Sequence, residues 1–370
     1  MSHTTKNYLP GLNTFRFFAA LLVILSHGQQ SLSKLNIYNG KVASILQRGR
    51  DGVEFFFVLS GFLITYLLVN EIQKTKNVSI KAFYLRRVFR IWPLCFLLIT
   101  IGLLVLGICY PMLYHKPYFE FPIWKWLVLF ICFLPNLATT LYPMGLLYPL
   151  WSIGVEEQFY LFWAPLIKIF RKKVFVVILL FITFSSGWQL IIERNLFHFD
   201  TIWVKFFVFQ KFYAMAIGSF FGYLLYRYKE LYQKTIFSRI VIQFVVFIAI
   251  LLHLFIDLPY SNLFLYRFFL ALLYGLLIMN TVSTKKSILN FEKKPFIYLG
   301  TISYGLYMYH MTIDYLLRSI VGKLSLTGYN VYLVSVGYHF FLLLFTIALA
   351  AFSFKYFESY FLKLKDKYSL

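Results

Sequence analysis

The chain has 370 residues, 60% of them hydrophobic and 22% aromatic, and a formal net charge of +22. No water-soluble globular domain has that make-up, so the chain reads as an all-α polytopic membrane protein of one domain, 1–370. Its basic residues form short clusters between apolar runs, which fits the positive-inside rule better than a nucleic-acid-binding face.

A membrane-crossing helix needs about 20 apolar residues. Such runs lie at 12–30, 52–70, 91–110, 149–169, 174–193, 203–226, 236–256, 262–282, 296–320 and 331–354. One further run, 121–137, is short and broken by Pro122, Lys125, Pro135 and Asn136. The basic clusters are Lys74 to Arg90, Arg171 to Lys173, Arg227 to Arg239, Lys285, Lys286, Lys293 and Lys294, and Lys363 to Lys367. If 121–137 is re-entrant or interfacial, all these clusters fall on one face together with both termini. The expectation is therefore about ten transmembrane helices plus one re-entrant segment, with N and C termini cytoplasmic. Asn77-Val-Ser79 matches a glycosylation acceptor but falls in an inferred cytoplasmic loop. The first run carries Arg16 and lacks a small-x-small cleavage site, so it is expected to be retained rather than removed as a signal peptide.

That first run, Gly11 to Gly28, carries Arg16 and His27. Eleven residues at about 100° each bring both side chains to one helix face, roughly 16 Å apart along the axis. Ionisable groups in hydrocarbon are costly and default to function. The plainer alternative is an Arg16 that snorkels to a headgroup and a His27 that marks the far interface. Glu54, in the segment 49–63, is expected at the depth of His27. The neighbouring Ser60-Gly61 pair is expected to let helices approach closely.

In the stretch Lys81 to Pro93, Arg86, Arg87 and Arg90 share a helical flank, and Pro93 suits the first turn of the next span. Clustered arginines beside a membrane cavity suit phosphate, though plain positive-inside anchoring would also explain them. Trp151 to Tyr160 opens another span. Ser152, Glu156 and Tyr160 recur every four residues on one side, whereas the adjacent Glu156 and Glu157 point about 100° apart and cannot share a role. By the same arithmetic Ser303, Tyr307 and His310 share a face. His198, His253 and His339 read as satisfied core groups, and His3 and His115 as exposed. Cys95, Cys109 and Cys132 read as packing residues that imply neither disulfide nor metal.

Five motifs in chain order resemble the acyltransferase-3 family of polytopic O-acyltransferases, many of which acetylate bacterial surface glycans. They are the basic-x10-His pattern from Arg16 to His27, the run Gly52 to Phe62, Arg87-x-x-Arg90 before Ile-x-Pro, Trp151-Ser-x-x-Val-Glu-Glu-Gln-Phe-Tyr160, and Ser303-Tyr-x-x-Tyr-x-x-His310. The resemblance implies a single transmembrane acyltransferase domain in the bacterial cytoplasmic (inner) membrane. It implies cytoplasmic acyl-CoA as donor, with acetyl-CoA the simplest, and no metal. The acceptor would be a hydroxyl of a lipid-linked or surface polysaccharide, such as an O-antigen or lipopolysaccharide glycan, on the outer side. Arg16, Arg86, Arg87 and Arg90 would hold the donor. His27 would be the general base or a covalent acyl carrier, and Glu156 would orient it or contact the sugar. Glu54, Trp151, Ser303, Tyr307 and His310 would line the acceptor site. Some family members carry a C-terminal hydrolase-like domain. This chain ends soon after the last span, so the expectation is transfer by the membrane core alone or with a separate partner. A transporter or flippase is the rival reading, and it lacks the support of an internal hydropathy repeat.

Overall fold

The computed structural model describes residues 9–37, 46–256, 263–283, 287–288, 292–324 and 329–368. His3, Lys285 and Lys286, singled out above, lie outside them. Among the described residues every regular element is helical. Helix α1 spans Leu12–Lys34, α2 Gly49–Thr75 and α3 Ile80–Leu104, the last running on through a π-turn at Val105–Cys109 to Tyr114. Two short helices follow, α4 (Ile123–Ile131) and α5 (Pro135–Leu141). Then come α6 (Leu150–Ile169), α7 (Val174–Glu193), α8 (Thr201–Phe209), α9 (Phe212–Gln233), α10 (Ile240–Phe255) and α11 (Phe264–Ser283). Last are α12 (Lys294–Thr301), α13 (Ser303–Val321) and α14 (Val331–Ser353), which continues through a second π-turn at Phe354–Glu358.

Among the described residues five stretches are long and apolar enough to cross a membrane: Gly49–Thr75, Ile80–Tyr114, Val174–Glu193, Phe264–Ser283 and Val331–Lys365. Helices α1, α6, α9 and α13 have comparable lengths of 23, 20, 22 and 19 residues but carry more polar and ionisable side chains. Large apolar residues such as Leu180, Phe184, Phe244 and Phe340 stand exposed on the outside of the bundle. A surface of that kind suits lipid rather than water.

Several expected runs are reshaped. The run 203–226 is two helices, because the backbone breaks at Gln210 and Lys211 between α8 and α9. The break lets the Lys211 ammonium turn inward to Glu54, 3.1 Å away. The run 296–320 is likewise divided at Ile302, beside the point where Gly300 rests on the backbone of Asn13. The basic stretch before Pro93 is helical, as the shared flank of its arginines implies. It belongs to α3, whose first turn is capped by the Ser79 hydroxyl accepting from the Ala82 amide, and Pro93 lies inside that helix rather than at its start. The segment 121–137 falls on α4 and α5, which meet at a left-handed turn at Phe133 (φ 62°). Nine residues of α4 rise only about 14 Å, less than half the hydrocarbon thickness. His198, expected in the core, sits exposed in the turn after α7. Of the three cysteines, Cys95 is buried, and Cys109 and Cys132 lie on the outer surface.

The closest helix pair is α2 on α9. A Cβ at Gly61 would lie 1.9 Å from the Met215 carbonyl oxygen, and one at Gly218 2.0 Å from that of Val58. Gly222 meets the Phe62 carbonyl in the same way. Small residues four apart thus bring two backbones into contact, as they do at tight membrane helix pairs. The Ser219 hydroxyl donates to the Met215 carbonyl of its own helix, 2.9 Å away. This crossing fixes the depth of α2, and with it Asp51, Glu54 and Ser60. Gly61→Val is expected to cost about 1–3 kcal/mol or more through overpacking. Gly187→Ala, with nothing within 4 Å of the added methyl, should be neutral. Thermal unfolding of the two detergent-solubilised variants distinguishes these outcomes, and equal melting temperatures would contradict the packing account.

Candidate active site

Helix α1 carries Arg16 and His27 on one continuous stretch, as the spacing predicts, and delivers them to two different cavities. The cavity nearer the N-terminal end of α1, called inner for that position, has an empty volume of about 780 Å³ and is lined by Arg16 from α1, Ser60 from α2, Arg87 and Arg90 from α3, and Ser152, Glu156 and Tyr160 from α6. Ser303, Tyr304 and Tyr307 from α13 close it. The outer cavity, about 1840 Å³, holds His27 with Tyr148, Trp151 and Tyr307. Val53 and Tyr307 line both, so these two side chains stand at the junction.

The inner cavity is charged asymmetrically. Three guanidinium groups share it with one carboxylate, Glu156. Arg16 donates to the Asn13 side-chain oxygen at 3.1 Å. Arg87 lies 5.9 Å from the Phe83 ring centre and 5.7 Å from that of Tyr160, and its Nε is buried without a hydrogen-bond partner. Among the described residues none of the three arginines is ion-paired. Unpaired cations at a partly buried site favour an anionic ligand. Glu156 accepts from the Tyr160 hydroxyl at 2.7 Å, and that hydroxyl lies 3.1 Å from Ser60 Oγ. Ser152, Glu156 and Tyr160 do line one side, as their spacing implies. Glu157 points away and accepts from the Trp92 indole at 3.3 Å.

At the junction the Tyr307 and Ser152 hydroxyls are 2.6 Å apart. Tyr307 also accepts, through its carbonyl, from His310 Nδ1 at 2.6 Å. That bond fixes the proton on Nδ1 and leaves Nε2 of His310 as a buried, unpartnered acceptor. The His310 ring centre lies 5.1 Å from that of His27, and Tyr148 packs edge-on against His27 at 5.9 Å. Trp151 packs on Phe209 at 4.6 Å in the wall of the outer cavity.

Five of the residues expected at the site stand elsewhere than expected. Arg86 is drawn off its flank by Glu71 at 3.2 Å and the Tyr368 carbonyl at 2.7 Å, so it is absent from the cavity that holds Arg87 and Arg90. Glu54 is fully buried and consumed by Lys211 at 3.1 Å, the Tyr213 hydroxyl at 2.8 Å and Arg267 at 3.5 Å. Glu156 lines the inner cavity and not that of His27, so it does not hold the His27 ring. Ser303 lines the inner cavity, while His310 is fully buried behind His27 and lines neither.

Sequence reading missed the polar wall of the outer cavity. Asp51 binds Arg267 and approaches His253 Nε2 to 3.2 Å, while His253 Nδ1 meets the Tyr266 hydroxyl at 2.7 Å. Asp314 accepts from the hydroxyls of Ser31 at 2.5 Å and Tyr338 at 2.8 Å. The available signal was single ionisable residues, Lys211, Arg267 and Asp314, interrupting apolar runs. His253 and His339 are core groups as expected, the latter against the carbonyls of Ser335 and Leu25.

Comparison with known proteins agrees with the motifs. The peptidoglycan O-acetyltransferase OatA of Listeria monocytogenes is 27% identical over 349 residues, 85% of this chain and 51% of that protein. The O-acetyltransferase OatA of Staphylococcus aureus is 27% identical over 374 residues, 96% of this chain and 57% of that protein. The putative peptidoglycan O-acetyltransferase YrhL of Bacillus subtilis is 26% identical over 344 residues, 85% and 50% respectively. The chain thus spans about half the length of the curated relatives it matches. No solved structure matches it. The family described as an acyltransferase domain matches residues 9–355, nearly the whole chain, and the protein belongs to that acyltransferase-3 family.

Proposed function

We propose that the chain is a membrane O-acyltransferase that moves an acyl group, acetyl in the simplest case, from cytoplasmic acyl-CoA to a hydroxyl of a surface glycan. The observation that carries this reading is the pair of cavities on one helix, three cations in one and His27 in the other, meeting at Val53 and Tyr307. The relatives named for peptidoglycan O-acetylation make a cell-wall glycan a natural acceptor. Topology follows the same reading: ten crossings, by α1, α2, α3, α6, α7, α8 with α9, α10, α11, α12 with α13, and α14, with α4 and α5 re-entrant. Both termini and the ends of the bundle near Arg87 then face the cytoplasm of a bacterial inner membrane.

In this scheme Arg16, Arg87 and Arg90 hold donor phosphate and steady the thioester end. The acyl thioester reaches the junction. His27 takes the proton of an acceptor hydroxyl as its oxygen attacks the thioester carbonyl. The C–O bond forms, the C–S bond breaks, and the proton leaves His27 for the departing CoA thiolate. Tyr307 and Ser152 supply hydroxyls at the junction that can donate to the carbonyl oxygen as it gains charge.

His27→Ala should lower transfer of radiolabelled acetyl from acetyl-CoA by roughly 10²–10⁴-fold, the range for loss of a general base. Normal product from a well-folded variant would remove His27 from the chemistry. The Arg87→Lys, Arg90→Lys pair keeps both charges and the insertion signal but loses the planar fork. It should raise the KM for acyl-CoA roughly ten- to a hundredfold, from about 1.5–3 kcal/mol of charge-assisted bonding, with the acceptor KM little changed. Wild-type donor affinity would reduce the two arginines to topology signals.

A further inference from the structure

The outer cavity is lined by Lys34, Arg50, Lys211, Arg267 and Arg318, against the two carboxylates Glu193 and Asp314. Both acids are hydrogen-bonded by neutral groups: Asp314, which also lies within electrostatic reach of Arg318 and Lys34, by Ser31 and Tyr338, and Glu193 by the backbone amide of Phe264 at 3.0 Å. Lys211 and Arg267 are anchored by Glu54 and Asp51. Lys34 and Arg318 make no direct ion pair among the described residues and share the one nearby carboxylate of Asp314, so together they keep an excess positive charge, and Arg318 lies over the Tyr315 ring at 5.6 Å. Under the proposed orientation all these cations face outward, against the positive-inside bias, so membrane insertion does not account for them. A cleft with one sign of charge and low-dielectric walls concentrates ligands of the opposite sign.

Resting on the acyltransferase reading, we propose that the outer cavity selects an acceptor bearing an anionic oxygen group, carboxylate or phosphate, bound by Lys34 and Arg318. The helices fix where that group sits. Lys34 follows His27 by seven residues on α1, and Arg318 follows His310 by eight on α13. Both helices run from the inner to the outer cavity, so the Cα atoms of the two cations stand about 10–12 Å outward of those of the packed histidine pair, with the side chains leaning back toward it. That exceeds the width of one pyranose ring. The charge therefore lies on the outward part of the acylated unit or on the unit next to it.

The test is equilibrium binding by calorimetry to the full chain in detergent without acyl-CoA, which does not depend on turnover. Three soluble oligosaccharides serve as probes: one with a uronate beside the terminal sugar, its carboxyl-reduced neutral form, and the neutral form carrying a phosphomonoester. At low salt the wild type should bind at least one charged probe roughly tenfold or more tightly than the neutral one, and added salt should shrink that margin. Preference for the uronate identifies an acidic sugar, and preference for the phosphomonoester a phosphate-bearing or lipid-phosphate-linked glycan. The Lys34→Gln, Arg318→Gln variant should lose the margin and still bind the neutral probe as wild type does. Equal wild-type affinity for all three probes overturns the inference, as does a margin that survives in the variant. Competition by CoA for the charged probes also overturns it, since the cavity would then be the donor site. Failure of acyl transfer itself, with selective binding intact, would overturn only the enzymatic reading.

Discussion

A guanidinium inside a bundle of apolar helices needs a counter-charge, a dense set of acceptors or a solvated space, because its desolvation is otherwise uncompensated. Part of the interior charge is met in the first way. Arg267 and Lys211 are met by Asp51 and Glu54, and Arg86 by Glu71. Arg16, Arg87 and Arg90 are not. They surround a cavity that contains a single carboxylate. The arrangement of the helices around that uncompensated charge is what separates a ligand site from structural ion pairs.

The committed charges do a different task. Asp51 and Glu54 sit one helical turn apart on α2, whose depth is set by the glycine contact with α9. They gather Lys211 from the break before α9 and Arg267 from α11 into the outer wall. The break and the pair go together: the chain leaves helical geometry at Gln210 and Lys211, where the ammonium meets Glu54. Below that wall, Tyr307 touches both cavities and carries hydrogen bonds to Ser152 through its hydroxyl and to His310 through its carbonyl. A change at Tyr307 therefore reaches both the junction and the ring packed on His27.

Helical periodicity made part of this visible in the sequence. Arg16 and His27 on one face, and Ser152, Glu156 and Tyr160 along one side, follow from about 100° per residue. The families of apolar runs fell on helices for the same reason. Periodicity does not say which member of a cluster finds a partner elsewhere. Arg86 and Arg87 are adjacent, yet Glu71 takes one and the cavity receives the other. Nor does it give depth. The resemblance implies that Glu156 orients His27 or contacts the sugar, but Glu156 and His27 line separate cavities. The contact made at the Lys211 helix break was invisible because its partner, Glu54, is 157 residues away in the chain.

The central claim is that donor and acceptor enter from opposite sides and meet at Val53 and Tyr307. Sealed proteoliposomes test it directly, with radiolabelled acetyl-CoA trapped inside and an impermeant oligosaccharide acceptor outside only. Two-sided transfer predicts labelled oligosaccharide outside while the vesicles stay sealed, and none when the acetyl-CoA is also confined to the outside of inward-facing protein. Product formed only when donor and acceptor share one compartment would contradict the account and reduce the two cavities to parts of a single one-sided site.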